Sequence, residues 1–330
     1  MLFAFEKIIM SQLISFVLPI YNEEANIPRL WEELSNLETK VIEKFGPDTY
    51  NFEYIFVTDG CKDKSVELLQ NIHNQFSDKI KIRVFGRNFG HQIAVSAGQD
   101  IAAGDAVIIM DTDLQDPPLA CLDLIDKWRE GFEIVYAQRR VYKVPLSKKI
   151  PAWLFYRLMS KIANVSIPED TGDFRLISRA VNDEMKKFPE KNRYLRGISF
   201  LTGFSTAAVL FDRSDRYSGK PGYTFTKSLK LAFDGIAAFS LFPIRLVSIT
   251  GSVFAIFSFV FGIIYILVAL FSNHQVAGWA SLMFTIIFLG GIQLIMLGIL
   301  GEYIGRIYTQ VLNRPLYTVV KEYGTSSKSI

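Results

Sequence analysis

Residues 106–118 read Ala106-Val107-Ile108-Ile109-Met110-Asp111-Thr112-Asp113-Leu114-Gln115-Asp116-Pro117-Pro118. An apolar run of strand length ends in an acidic turn, and two prolines then open a helix-length segment. The same grammar recurs upstream. Apolar runs at 13–18, 54–58 and 80–85 end in Pro19-Ile20-Tyr21-Asn22-Glu23-Glu24, Thr58-Asp59-Gly60-Cys61-Lys62-Asp63 and Gly86-Arg87-Asn88-Phe89-Gly90. A fifth run lies at 133–137, and helix-length segments open near Glu24, Lys62, Gly90 and Pro117. Strands alternating with helices predict an α/β fold built on a doubly wound, mostly parallel sheet. Ligands of such sheets bind beyond the carboxyl ends of the strands, so the polar residues there are the candidates for a site.

The remainder of the chain is different in kind. Between Arg245 and Glu302 there is no Asp, Glu, Lys or Arg, although the whole chain carries 36 basic and 33 acidic side chains. One helix over 246–301 would run about 84 Å, far beyond the roughly 30 Å hydrocarbon core of a bilayer. The stretch must fold back, and Ser272-Asn273-His274-Gln275 is the candidate turn. Spans near 246–271 and 276–301 follow. Lys227, Lys230 and Arg245 precede the hairpin, Arg306, Arg314 and Lys321 follow it, and the turn has no Lys or Arg. Positive-inside bias then predicts both chain ends in the cytoplasm and the protein in the plasma or inner membrane. No secretory apolar region fits ahead of Glu6 and Lys7.

Composition narrows the classes further. With 21% charged and 14% aromatic residues the chain is neither disordered nor a coiled coil. A net charge of +3 makes no global case for nucleic acid. Cys61 and Cys121 are too few for a disulfide framework or a cysteine-rich metal site. The mean hydropathy of +0.22 is high for a soluble chain, and the uncharged stretch is its source.

Acids at the ends of the first, second and fourth strands would converge on one edge of the sheet. Their repulsion calls for a cation. Asp111 and Asp113 would point the same way along an extended chain, with Gln115 continuing the row. Hard oxygen ligands of this type suit Mg²⁺ or Mn²⁺ bound through substrate phosphates.

Leu18-Pro19-Ile20-Tyr21-Asn22-Glu23-Glu24, the Asp59-Gly60 turn, Arg87-Asn88-x-Gly90 and Asp111-Thr112-Asp113-Leu114-Gln115-Asp116-Pro117-Pro118 together resemble family-2 inverting glycosyltransferases of GT-A fold. With Thr171-Gly172-Asp173-Phe174-Arg175-Leu176 and the two-span hairpin, the chain resembles the polyprenyl-phosphate glycosyltransferases, among them bactoprenol glucosyltransferases of the GtrB type and dolichol-phosphate mannose synthases. The resemblance implies transfer of a sugar, glucose by the bactoprenol likeness, from a UDP-sugar to undecaprenyl phosphate with inversion. It implies that Pro19, Tyr21, Glu23, Asp59 and Arg87 contact the nucleotide sugar. Asp111, Asp113 and Gln115 would hold the metal and diphosphate, and Asp113 and Asp173 would be catalytic. Two departures stand out. Thr58-Asp59-Gly60-Cys61 replaces the usual Asp-Asp-Gly-Ser, and Lys220-Pro221-Gly222-Tyr223 replaces a Ser-Lys-Tyr sequence. Arg213, Arg216 and Lys220 are then the cations for the acceptor phosphate.

The chemistry follows from the groups involved. A breaking glycosidic bond puts charge on the diphosphate, which a divalent cation stabilises. A phosphate monoester, with a second pKa near ~6, is already largely dianionic at neutral pH. Asp173 is therefore cast as an orienting and charge-stabilising group. A processive polysaccharide synthase would share the core but needs more spans and a Gln-x-x-Arg-Trp motif. A non-catalytic scaffold would be expected to lose Asp111, Asp113 and Asp173.

The predicted organisation is a catalytic domain over 1–223, a juxtamembrane amphipathic helix over 224–244, the hairpin over 245–308 and a cytoplasmic tail over 309–330. A basic amphipathic segment at 148–167 suits a membrane surface or the catalytic domain. Gly301-x-x-x-Gly305 could pack helices within one chain or in a homo-oligomer. His91 opens a helix, where packing or capping competes evenly with a ligand role. His73 and His274 read as solvent or interface residues. Cys61 lacks a paired base, and the residues after Tyr323 read as a disordered end.

Overall fold

The structure, a computed structural model, describes residues 11–140, 171–191, 193–212, 242–271 and 278–325. They fall into two compact units, one holding the residues up to Asp212 together with those from Pro315 onward, the other holding 242–314. The first amphipathic segment, residues 224–241 of the second, the hairpin turn and residues 326–330 lie outside the described residues.

The first unit is built on an eight-stranded sheet. Its strands are β1 (Gln12–Ile20), β2 (Tyr50–Thr58), β3 (Ile80–Phe85), β4 (Ala106–Ile109), β5 (Ile134–Arg139), β6 (Thr171–Ser178), β7 (Thr206–Phe211) and β8 (Val319–Tyr323), in the order β7-β5-β6-β4-β1-β2-β3-β8. β1 pairs in parallel with β2 and β4, β2 with β3, and β5 with β7. β6 runs antiparallel to both β4 and β5, and β8 antiparallel to β3. The expected mostly parallel α/β sheet is present, with these two reversals.

Helices cover both faces, which is why β1 is buried on both sides and carries no polar alternation. On one face Ile14, Phe16, Leu18 and Ile20 pack with α1 (Ile27–Phe45), α2 (Ser65–Gln75) and α4 (Cys121–Arg129). The buried positions of α1, Ile27, Leu30, Leu34, Leu37 and Val41, repeat at helical spacing. On the other face Val17, Ile55 and Val57 pack with α3 (His91–Ile101), α5 (Arg179–Lys186) and α6 (Leu195–Leu201). α3 lies so close to β1 that a Cβ on Gly98 would stand 2.4 Å from Val17 Cγ1.

The second unit holds α7 (Phe242–Phe271) and α8 (Trp279–Val311). They pack antiparallel, with Phe254 against Phe288 at 6.5 Å between ring centroids and Gly251 beside Met296. Large apolar side chains face outward along both, Phe259 and Leu294 each 71% exposed. Among the described residues Phe288–Val311 is long and apolar enough to cross a membrane, and Val247–Phe261 is a shorter apolar run. α8 runs past the expected span to Val311, and on that extension Glu302 and Arg306 pair at 3.0 Å one turn apart.

The segment expected to be a tail supplies a strand instead. β8 covers the outer edge of β3, and Tyr317, just before it, stacks on Phe85 with ring centroids 5.1 Å apart. The Tyr317 hydroxyl donates to Asp100 at 2.6 Å and accepts from Arg83 at 3.0 Å. Arg83 also bonds Glu322 at 2.6 Å. An open edge strand would otherwise present unpaired backbone groups. Replacing Tyr317 with Ala should destabilise this unit by about 2 kcal/mol, by lost ring packing on Phe85 and the lost hydroxyl hydrogen bonds. Denaturant unfolding of Tyr317→Ala and Tyr317→Phe checks this, the Phe variant losing only the smaller, hydroxyl part. Unchanged midpoints in both would show that β8 is not held by this contact.

Candidate active site

The loops after β1 and β2 are interlocked by short polar side chains. Asn22 adopts a left-handed backbone (φ 55°), and its Oδ1 accepts the Lys62 N–H at 2.8 Å. Glu24 N–H donates to Asp63 at 3.0 Å, while Lys64 N–H donates to Glu24 at 2.9 Å. Glu23 N–H donates to Ser65 Oγ at 3.0 Å, and the Glu23 carboxylate accepts from the Asn26 amide at 2.5 Å. These bonds occupy residues 22–26 and 62–64, so α1 and α2 begin later than the openings expected near Glu24 and Lys62. Tyr21 stays 49% exposed beside them. The Pro19 carbonyl accepts from Thr112 at 3.0 Å, tying the β1 and β4 loops together.

Asp59 has a different place from the one its motif suggested. It is buried, and its two oxygens accept the backbone N–H groups of Phe89 at 2.6 Å and Gly90 at 2.9 Å. The carboxylate thus clamps the loop after β3. Gly60 follows at φ +68°, where a Cβ would meet the Arg87 carbonyl carbon at 2.4 Å, so only glycine allows this approach. Arg87 is exposed and lies 4.3 Å over the Phe89 ring. The Cys61 thiol is pushed up by burial and lies 3.4 Å from both the Ile20 carbonyl and the Asn22 N–H, which suits packing and not nucleophilic attack.

The antiparallel course of β6 creates the second half of the site. Ile109 stands opposite Arg175, so continuing that register carries Asp173 to the edge where Asp111 lies. His91, at the start of α3, reaches both: its Nε2 is 3.5 Å from Asp111 Oδ1 and 3.4 Å from Asp173 Oδ2. Gln92 donates to Asp173 Oδ2 at 2.9 Å. Arg196 and Arg175 approach Asp173 Oδ1 at 3.4 and 3.9 Å. Arg175 is buried, bonding the Gly172 carbonyl at 3.0 Å and Ser199 Oγ at 2.5 Å.

These contacts move the protonation equilibria apart. Burial opposes ionisation of Asp173, but the His91 hydrogen bond and the charges of Arg196, His91 and Arg175 outweigh it and hold the carboxyl well below the usual range. Burial, then the charges of Asp173 and Asp113, push Asp111 up in spite of His91 and Arg139. Burial also opposes charging of His91, yet Asp173 and Asp111 raise it to about 9. Burial lowers Arg175 to about 10, which leaves it charged at neutral pH.

The row expected from Asp111 through Gln115 is bent. β4 ends at Ile109, Leu114 is left-handed (φ 60°), and Gln115 N–H donates to Asp113 Oδ1 at 3.1 Å. Residues 111–116 form a turn, so Gln115 does not continue an alternating row. Among the described residues no group of three or more His, Cys, Asp or Glu is arranged to hold a metal ion by itself. Arg213, Arg216 and Lys220 lie outside the described residues. Asp212, next to them, pairs with Arg140 at 3.5 Å.

Residues 15–186 match the family model described as Glycosyl transferase family 2. The chain belongs to this glycosyltransferase family. Residues 243–307 match the GtrB C-terminal hairpin, which covers most of α7 and α8. The chain is 43% identical to the uncharacterized glycosyltransferase YkcC of Bacillus subtilis, over 96% of each chain. It is 40% identical to the SfII prophage-derived bactoprenol glucosyl transferase of Shigella flexneri, over 94% of this chain and 98% of that one. Among solved structures, glucosyl-3-phosphoglycerate synthase of Mycobacterium tuberculosis is similar at 19% identity and TM-score 0.48, over 69% of this chain and 79% of the other. The resemblance carried by the motifs, and the GT-A-type sheet with a C-terminal hairpin, are borne out.

Motif reading singled out Asp111, Asp113 and Asp173 in this glycosyltransferase and passed over Gln92 and Arg196. Nothing in the order of residues 86–92 says that α3 points its first turn at a strand eighty residues later. Arg175 stood in the motif around Asp173 without a role of its own.

Two outcomes test this geometry. Asn at position 59 offers one carbonyl oxygen and an N–H to two backbone donors, so Asp59→Asn should cost about 2 kcal/mol through an unpaired buried group. Unfolding without nucleotide measures it; full stability with lost UDP binding would instead make Asp59 a nucleotide contact. The second concerns pH. His91 rises from 6.5 to about 9 on folding, so its stabilising charge is fully present below pH 6.5 and is lost as pH rises through 9. Unfolding midpoints in EDTA should fall across that window, and His91→Gln should remove that share of the fall. Identical profiles for the two proteins would refute the assigned contacts.

Proposed function

We propose that this family 2 glycosyltransferase moves glucose from UDP-glucose to undecaprenyl phosphate at the cytoplasmic face of a membrane, with inversion. The observation that carries the reading is the pairing of Asp111 and Asp173 across one sheet edge, bridged by His91. It brings the acidic end of β4, suited to a donor diphosphate, against an ionised carboxylate from β6. The relative from Shigella flexneri named as a bactoprenol glucosyl transferase matches over nearly the whole length, hairpin included, and supports this choice of acceptor and sugar.

Each residue has a role that follows from its surroundings. The lowered Asp173 carboxyl stays ionised and is a weak proton acceptor at neutral pH. It orients the acceptor and balances charge. The acceptor phosphate needs little help, because its second pKa of about 6 leaves it dianionic at neutral pH. Tyr21 and Arg87, both exposed beside the clamped loops, are placed for the nucleotide, with Pro19 and Glu23 holding the loop beneath.

Asp111 and Asp113 fit a divalent cation. Both offer hard oxygens, and burial, with the charges of Asp173 and Asp113 added to it, pushes Asp111 up, a load that a cation would relieve. When bound, Mg²⁺ or Mn²⁺ would screen the charge of the donor diphosphate. The outward apolar faces of α7 and α8 support a hairpin that spans the bilayer, with both ends on the basic, cytoplasmic side. Arg213, Arg216 and Lys220 then supply charge-assisted contacts to the lipid phosphate near the interface.

Labelled UDP-glucose, offered with and without undecaprenyl phosphate to the purified full chain, tests the reading. Radiolabel should enter the lipid only when the lipid phosphate is present. Label that never leaves the aqueous phase, or transfer from a different nucleotide sugar alone, would overturn the proposed acceptor or donor. Asp111→Asn and Asp113→Asn should lower turnover by about two orders of magnitude or more, and EDTA should abolish it; full turnover in excess EDTA ends the metal assignment. Arg216→Ala should raise the apparent KM for the lipid about tenfold while UDP binding stays nearly constant. Normal lipid kinetics in that variant would place the acceptor elsewhere.

A further inference from the structure

Four groups surround the Asp173 carboxylate, and they do not contribute alike. His91, Arg196 and Arg175 approach at 3.4, 3.4 and 3.9 Å, distances at which charge acts but a directional hydrogen bond is weak. Gln92 stands at 2.9 Å from Oδ2. Among the described residues it makes the short contact.

The Gln92 amide is held at its other end as well. Its Oε1 accepts the backbone N–H of Leu195 at 3.0 Å. Leu195 is the first residue of α6, where an N–H has no intrahelical acceptor. A backbone N–H can only donate, so the amide oxygen must face Leu195 and the amide nitrogen must face Asp173. A flipped amide would set donor against donor and carbonyl against carboxylate. The orientation is therefore decided by the network. One side chain ties α3 to β6 and α6, and Arg196 on α6 returns to the other oxygen of the same carboxylate.

We propose that Gln92 is a positioning residue for the transfer reaction: it sets the direction in which Asp173 presents its carboxylate, and it acts through Asp173 alone. The proposal rests on the role given to Asp173 above. The Gln92 side chain bonds Asp173 and the Leu195 N–H, whereas the donor contacts proposed above are Tyr21 and Arg87, so its loss should spare donor binding.

A double-mutant cycle on the full chain tests this. Gln92→Leu keeps most of the volume and removes both hydrogen bonds. It should lower kcat at least about tenfold and leave KM for UDP-glucose within about twofold. In an Asp173→Ala background the same change should alter kcat by less than about twofold, because nothing remains to be positioned. An equal factor in both backgrounds overturns the proposal. Gln92→Glu provides the second arm, since it keeps the acceptor for Leu195 and sets a carboxylate beside Asp173. It should fall at least as far as the Leu variant. Wild-type kcat in Gln92→Glu would mean that Gln92 only caps α6, and would overturn the positioning role. If the wild-type chain transfers no sugar, the functional reading has failed, and the contact is judged by unfolding. Midpoint losses of Gln92→Leu and Asp173→Ala that fail to add then support the link, and additive losses overturn it.

Discussion

Like charges brought to one edge of a sheet repel, and the first unit of this glycosyltransferase is arranged around that repulsion. β6 enters antiparallel between β4 and β5, and by doing so delivers Asp173 to the edge already occupied by Asp111 and Asp113. The response comes from two other elements and from β6 itself. α3 sends His91 and Gln92, α6 sends Arg196, and Arg175 lies buried on the strand that carries Asp173. Asp173 is stabilised as an anion, while Asp111 keeps an upward shift. The compensation is uneven: Asp173 is held ionised and Asp111 is not held to the same degree.

The loops on the other side of the edge are set by a different device. Asp59 uses both oxygens on backbone N–H groups of the loop after β3, and Asn22, Glu24 and Asp63 exchange bonds between the loops after β1 and β2. Carboxylates that look like ligands in a sequence here serve as fasteners. Loops fastened in this way keep exposed Tyr21 and Arg87 in place.

The end of the chain adds a constraint of its own. Downstream of α8 in the sequence, residues 319–323 pair as β8 on the edge of β3. Tyr317 is locked there between Phe85, Arg83 and Asp100, and Asp100 belongs to α3, whose opposite end carries His91 and Gln92. The helix that organises the carboxylates is thus braced at its far end by residues that follow the apolar hairpin.

Sequence alone determined much of this. Strand-length apolar runs ending in acidic turns, and a stretch without charge from 246 to 301, are local signals read directly from residue order. They were enough for the α/β class, the hairpin and the carboxylates Asp111 and Asp113, while Asp173 came only with the family resemblance. Tertiary structure decided the direction of β6, the return of β8 and the partners of each acid. Asp59 shows why. A carboxylate after a strand can face a ligand or turn back on two N–H groups thirty residues later, and its own neighbours look the same in either case. Gln92 shows the converse, a residue with no local mark that matters because α3, β6 and α6 meet at its side chain. Periodicity and turn chemistry act over a few residues, whereas the choice of hydrogen-bond partner is made by packing between elements far apart in the chain, which residue order does not encode locally.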